Sequence, residues 1–260
     1  MAFPDTLPEP IDEWALFLDV DGTLIEIADA PDAVSVDPAM IDLLQRLDRR
    51  FAHALALVSG RELATLDRLF QPLRLTAAGL HGLERRVPGG EIELSDGAGD
   101  RIRQVRDQLT AFVESDARLL VEDKGMTVAL HYRRAPDRAE DVLAFAERLD
   151  TEVGRALVLQ RGKMVVEFRP QGPNKGNIVD QFMAEAPFAG RIPVFIGDDV
   201  TDEDGFAAVN QRHGHSIRVG PDEKTEARWR IDSVAELCAW LASLADRHAV
   251  HPPETAQEPT

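Results

Sequence analysis

The chain has 260 residues, 44% of them hydrophobic and 29% charged, and a formal net charge of −17. That length holds one large domain or a core with a second small domain, and so acidic a surface repels nucleic acid and anionic lipid, which excludes both as expected partners. The single cysteine, Cys238, excludes an internal disulfide and suits a reducing cytoplasm; no apolar run nears the roughly 20 residues that cross a bilayer, and the Pro- and acid-rich start carries no signal-peptide pattern.

Residues 1–12, rich in Pro and acid, and the polar, Pro-containing residues 249–260 are expected to be flexible termini. From Trp14 to Val20 a short apolar run stops at Asp21-Gly22, which predicts a buried strand ending in a turn. Pro38 to Arg50 has helical apolar spacing. A strand over His53 to Val58, a helix over Glu62 to Phe70 and a strand over Leu75 to Ala78 follow. This alternation predicts a parallel, doubly wound α/β sheet.

The middle of the chain reads differently. Leu83 to Val87 and Ile92 to Leu94 suggest a hairpin turning at Pro88-Gly89-Gly90. Then come a helix near 100–115, strands over 118–123 and 126–133, a helix over 137–152, and strands over 156–161 and 164–169. The α-β-β-α-β-β order implies an antiparallel sheet with helices on one face. The alternating core resumes with a helix over 175–185, a strand over 192–196, a helix over 202–210, a strand over 215–219 and a last helix over 233–246. We therefore expect a core of residues 13–98 and 171–248 with residues 99–170 inserted as a smaller domain.

Four segments carry chemistry. In Phe17-Leu18-Asp19-Val20-Asp21-Gly22-Thr23-Leu24, two carboxylates spaced two apart at a strand end can face one crevice, and open α/β sheets bind ligands at such ends. Asp19 can ligate a hard cation such as Mg²⁺ through one oxygen and attack phosphorus with the other. Asp21 can serve as general acid to the leaving oxygen and then as base to water. Gly22 permits a tight turn, and Thr23 can hydrogen-bond phosphate or cap a helix.

Asp198 to Asp204 packs five acids into seven residues behind an apolar strand, which calls for a cation. Asp198 is the expected ligand, with Asp199 and Asp202 holding water or a nearby lysine behind it. Glu203 and Asp204 fall in the first turn of the next helix, where negative charge is favoured anyway. Ser59, between a strand and Gly60, can offer its hydroxyl to phosphate oxygens or simply cap a helix. Lys175, in Pro173-Asn174-Lys175-Gly176, stands at a helix start against the dipole preference. It can pair with Asp19 and supply the positive charge that a phosphate site in so acidic a protein requires.

In this order, Asp19-Val20-Asp21-Gly22-Thr23, Ser59, Lys175 and Gly197-Asp198-Asp199 resemble the motifs of the haloacid dehalogenase superfamily of aspartyl-nucleophile phosphatases. The inserted unit resembles that superfamily's α/β cap. Val58-Ser59-Gly60-Arg61, Gly79-Leu80-His81-Gly82-Leu83-Glu84, His131-Tyr132-Arg133, Gly162-Lys163, Val166-Glu167-Phe168-Arg169-Pro170 and Thr201-Asp202-Glu203 are similar, more narrowly, to the trehalose-6-phosphate phosphatase family, over about residues 14 to 245. The resemblance implies Mg²⁺-dependent hydrolysis of trehalose 6-phosphate through an aspartyl-phosphate. It implies a cation held by Asp19, Asp198 and the backbone carbonyl of Asp21, and substrate contacts from Gly22, Thr23 and Arg61. By position, Lys124, His131, Lys163 and Glu167 would hold the unphosphorylated glucose. Without the resemblance, Lys124 and Lys163 read as exposed turn residues and Glu167 as half of a surface ion pair. Arg85 and Arg86 could line the cleft or decorate the hairpin. A monomeric cytoplasmic enzyme is expected, with a small sugar phosphate as its partner. The alternatives are a phosphatase of sucrose, glucosylglycerol or mannosylglycerate phosphate, a hexose phosphomutase, and a sensor that binds a sugar phosphate without turnover.

Overall fold

Strand β1 (Trp14–Leu18) is buried along its whole length, and its alternate side chains enter two different cores. Trp14, Leu16 and Leu18 face one side, with α1 (Pro38–Arg50), α2 (Leu63–Phe70) and α7 (Val234–Asp246). Ala15 and Phe17 face the other, with α5 (Lys175–Met183) and α6 (Glu203–Gln211). A strand that is apolar on both faces must be covered on both, which is why the run carries no polar alternation. The computed structural model describes residues 3–246 apart from 5, 28–33, 88, 89, 95–98, 155, 156, 222 and 223.

The remaining strands of this layer are β2 (Leu55–Val58), β3 (Thr76–Gly79), β4 (Glu84–Arg86), β5 (Ile92–Leu94), β10 (Ile192–Gly197), β11 (His215–Val219) and β12 (Trp229–Ile231). The eight strands run in the order β12-β11-β10-β1-β2-β3-β4-β5. Neighbours from β12 to β3 are parallel; β4 and β5 add an antiparallel edge. Strand order reverses about β1, so the carboxyl ends of β1, β2 and β10 open onto the crevice where such sheets bind ligands. Strand β12 has no counterpart in the sequence reading: it is a three-residue edge strand with Arg230 at its centre and offers no apolar run.

The second sheet runs β6 (Leu120–Asp123), β7 (Val128–His131), β9 (Val165–Pro170), β8 (Leu157–Gly162), antiparallel throughout. On one face Val128, Leu130, Val166 and Phe168 bury against α3 (Gly99–Val113) and α4 (Ala139–Val153). The opposite face carries one row across all four strands, because Glu122 pairs with Ala129, Ala129 with Glu167, and Glu167 with Gln160. Period-two alternation thus puts apolar side chains under the helices and polar ones toward the crevice.

Helix ends follow local sequence rules. Asp37 caps α1 by accepting from the Ala39 amide at 2.8 Å, with Pro38 behind it. Asn174 and Asn177 form a reciprocal capping box at α5. Before β1, Asp12 pairs with Arg50 at 2.5 Å and Leu7 packs on the core, so part of the Pro-rich start is tied down. The expected tail, 249–260, lies outside the described residues, as do 88 and 89 of the expected hairpin turn. Among the described residues, no helix is long and apolar enough to cross a membrane.

Candidate active site

One residue past β1, the Asp19 amide still donates to the Ile196 carbonyl at 2.9 Å, so the strand ladder itself places the Asp19 side chain at the crevice. Gly22 then turns with φ +85°, and a Cβ there would stand 2.2 Å from Asp198 Oδ2. Only glycine lets the β1 turn close down on the β10 turn this way. The result is a buried trio, Asp19, Asp198 and Asp202, with one carboxylate oxygen of each within 4.8 Å of the others.

Lys175 enters from the first turn of α5. Its Nζ donates to Asp19 Oδ1 at 2.7 Å and to Asp202 Oδ1 at 2.6 Å. Asp202, fully buried, accepts on its other oxygen from the amides of Asp198 at 3.0 Å and Asp199 at 2.9 Å, which fixes the β10 turn. Thr23 donates to Asp198 Oδ1 at 3.3 Å, and Asp199 caps the next turn through the Val200 amide at 2.7 Å. Ser59 is buried with its Oγ accepting from the Arg61 amide at 3.1 Å. Arg61 folds onto Asp21 as a two-pronged pair, both distances 2.6 Å. The Asp21 carboxylate is therefore outside the buried trio, while its main chain stays in the turn.

The charges do not balance. Three buried carboxylates face Lys175 and, from the cap, Lys163, whose Nζ is 2.5 Å from Asp198 Oδ2. Burial, and then repulsion from Asp202, raises the Asp19 pKa despite Lys175; burial likewise raises that of Asp198 despite Lys163. Burial works to lower the Lys175 pKa, but Asp19 and Asp202 outweigh it and hold the ammonium charged. An all-oxygen donor set with surplus negative charge fits a hard divalent cation, which would keep these carboxylates ionised.

Across the crevice stands the polar row of the second sheet. Glu167 is buried; Thr127 donates to its Oε1 at 2.6 Å and Lys124 Nζ to the same atom at 3.2 Å. Burial acts to raise the Glu167 pKa, but Lys124 and Thr127 help to bring it below the ordinary value. Lys124 also donates to the Gly60 carbonyl at 3.1 Å, so it ties the second sheet to the loop after β2. His131 pairs with Glu122 at 2.7 Å.

Asp19, Asp21, Ser59, Arg61, Lys124, His131, Lys163, Glu167, Lys175 and Asp199 thus line a single crevice; Asp198 and Asp202 bond its Lys163 and Lys175, and Gly22 and Thr23 adjoin Asp198. Two placements differ from the sequence reading. Lys163 bonds Asp198 rather than Glu167, and Arg61 engages Asp21. Arg85 and Arg86 do not line the crevice: Arg85 bridges Glu93 at 2.7 Å and Glu185 at 3.0 Å, and Arg86 holds Asp67 and the Leu75 carbonyl. Glu203 accepts from Thr225 and the Glu226 amide, as a structural residue would.

Among the lining residues to which the sequence assigns no role are Glu122, Gln160 and His81. Two were within reach of the sequence. Glu122 shares strand parity with Lys124, and the Gly162-Lys163 hairpin pairs Gln160 with Glu167. His81 falls in the Gly79 to Glu84 segment that carries the resemblance, but its contacts depend on tertiary packing.

Residues 17–235 match the family described as trehalose-phosphatase. The chain is 45% identical over 244 residues to a probable trehalose-phosphate phosphatase of Sinorhizobium fredii, covering 94% of this chain and 92% of the relative. It is 42% identical over 234 residues to the trehalose-6-phosphate phosphatase of Escherichia coli, covering 90% and 87%. Among solved structures, the C-terminal domain of a Candida albicans trehalose-6-phosphate phosphatase superposes with a TM-score of 0.80 at 23% identity, covering 90% of this chain and 92% of that one; at that identity the likeness speaks for the fold.

Proposed function

The chain belongs to the trehalose-phosphatase family, and we propose that it hydrolyses trehalose 6-phosphate to trehalose and phosphate through a phosphorylated Asp19. The observation that carries this reading is the pairing of two unlike walls across one crevice. On the core wall stand a nucleophile-bearing strand end, a buried lysine and surplus carboxylates; on the cap wall stand Glu167 and Lys124, which suit hydroxyls that both donate and accept.

In this reading Lys175 fixes the Asp19 carboxylate for in-line attack on phosphorus and, with the Ser59 hydroxyl, offsets charge on the phosphate oxygens. Mg²⁺, held by Asp19, Asp198 and the Asp21 main-chain carbonyl, would supply the remaining positive charge. In the free site both Asp21 oxygens accept from Arg61, so Asp21 acts once that pair opens and it has taken up a proton, which it gives to the sugar oxygen as the P–O bond breaks. Asp21 then takes a proton from the water that attacks the aspartyl-phosphate, which frees Asp19 and releases phosphate. Residues 99–170 act as the cap: they exclude bulk water and place Glu167, Lys124 and His131 on the distal glucose.

The test is phosphate release from trehalose 6-phosphate, glucose 6-phosphate and sucrose 6-phosphate, each with and without Mg²⁺. We expect Mg²⁺-dependent release with a clear preference for trehalose 6-phosphate. Preference for another sugar phosphate moves the substrate assignment, and phosphoryl transfer without release points to a mutase.

A further inference from the structure

The two sheets meet at His81. This residue lies in a short 3-10 turn, Leu80–Gly82, directly after β3, and Leu80 and His81 both take left-handed backbone, with φ of 49° and 56°. Such conformations persist in bulky residues only where the surroundings hold them. Here the Leu80 amide donates to the Arg61 carbonyl and the His81 amide to the Ser59 carbonyl, both at 3.0 Å. The turn is thereby fastened to the loop that carries Ser59. The buried imidazole lies against Gly60 of that loop: a Cβ at Gly60 would stand 2.6 Å from His81 Nε2.

The same nitrogen faces the cap. It is 3.1 Å from Gln160 Nε2 and 3.5 Å from Glu167 Oε2. The direction of the first contact follows from Arg169, whose Nε donates to Gln160 Oε1 at 3.0 Å. With its carbonyl oxygen taken by a donor, Gln160 turns its amide N–H toward His81 Nε2, which accepts it in the neutral ring form protonated at Nδ1; that buried Nδ1 has no hydrogen-bond partner among the described residues. Burial lowers the His81 pKa, in keeping with that form. Arg169 also donates to the Pro173 carbonyl at 3.1 Å, just ahead of Lys175. One line of contacts therefore runs from the Lys175 segment through Arg169 and Gln160 to His81 and the Ser59 loop.

No chemical step above uses His81. We infer that His81 is a positioning residue for the sugar half of the substrate: by accepting from Gln160 it sets the cap at the register where Glu167 stands opposite the Ser59 loop. The inference rests on the hydrolase reading above. It places the effect on a substrate that reaches Glu167, and little of it on a phosphate ester that does not.

The experiment compares kcat and KM for trehalose 6-phosphate and glucose 6-phosphate, with Mg²⁺, in the full-length protein and in His81→Leu, His81→Gln, Gln160→Ala and the His81→Leu/Gln160→Ala double variant. His81→Leu and Gln160→Ala should each raise KM for trehalose 6-phosphate about tenfold and leave kcat/KM for glucose 6-phosphate within about twofold. His81→Gln, which brings an oxygen close to the position of Nε2, should recover most of the loss. The double variant should be no worse than the worse single, because the two side chains act through one another. Equal losses on both substrates, or multiplying losses in the double variant, overturn the inference. Should His81→Leu not fold, Gln160→Ala on the edge strand β8 carries the test, and an unchanged KM there overturns it as well. A wild-type protein that releases no phosphate from trehalose 6-phosphate sinks the hydrolase reading, and this inference with it; an active wild type with unmoved variants sinks the inference alone.

Discussion

Lys163, at the tip of the hairpin between β8 and β9, donates to Asp198 Oδ2 at 2.5 Å from the opposite side of the crevice. Asp198 is nearly fully buried, whereas the Lys163 side chain is 45% exposed. A half-exposed ammonium and a divalent cation would share this carboxylate as a partner. Exposed pairs contribute about 1 kcal/mol or less. We therefore expect Lys163→Gln to tighten Mg²⁺ binding in the absence of substrate, by up to about fivefold. Titration calorimetry checks this; weaker Mg²⁺ binding in the variant would show that Lys163 supports the cation site instead.

Lys175 is held more deeply. It is the cation bonded to both Asp19 and Asp202, all three buried. Removing one partner of such a set leaves uncompensated buried charge, at a cost of roughly 3–5 kcal/mol. Lys175→Met should abolish turnover and lower the melting temperature by on the order of 10 °C in the presence of a chelator. Because Mg²⁺ is expected to neutralise Asp19, adding it should recover part of that loss. Thermal melts with and without Mg²⁺ read both effects, and an unchanged melting temperature in the chelator contradicts the assignment.

Glu167→Gln keeps the shape of the cap wall and removes the charge that faces Lys124. Charge-assisted hydrogen bonds contribute roughly 1.5–3 kcal/mol. The expected loss in kcat/KM for trehalose 6-phosphate is on the order of 10- to 100-fold, with glucose 6-phosphate affected about threefold at most. Steady-state kinetics on the two substrates decides; an equal loss on both would place Glu167 in the chemistry rather than in sugar recognition.

Acid should weaken the junction at His81. Burial puts the folded pKa of His81 below its ordinary 6.5. The unfolded chain therefore binds the proton more readily, and stability falls as pH drops from 6.5 toward the folded value. Above that window the neutral ring contributes in full. One such group changes stability by at most about 1.4 kcal/mol per pH unit. Urea denaturation between about pH 7.5 and 5.5 should show a steeper decline for wild type than for His81→Gln, and equal slopes would contradict a buried neutral ring.

Much of this arrangement is legible in the sequence because it obeys local rules. The apolar run before Asp19 announces a strand buried on both faces, and Asp198 repeats the pattern at β10. Lys175 stands where the helix dipole disfavours it, and that misfit marks its pairing with Asp19. The cap residues are harder to read. Glu167 looks like any exposed acid until the sheet register sets it beside Lys124 and Thr127. The partner of Lys163 depends on how two sheets face each other, and that of Arg61 on two adjacent strand-end loops of one sheet, neither of which a window of sequence encodes. The edge strand β12 is too short and too polar to signal itself.

Whether Asp19 carries the phosphoryl group is decided most directly by trapping. Enzyme, Mg²⁺ and trehalose 6-phosphate are mixed, quenched in acid within one turnover, reduced with borohydride and digested for mass spectrometry. A phosphorylated aspartate reduces to homoserine, and we expect that change at residue 19, absent in Asp19→Asn and appearing no later than free phosphate. Free phosphate formed in that first turnover with residue 19 still aspartate, or an Asp19→Asn protein that turns over at the wild-type rate, would contradict the nucleophile assignment.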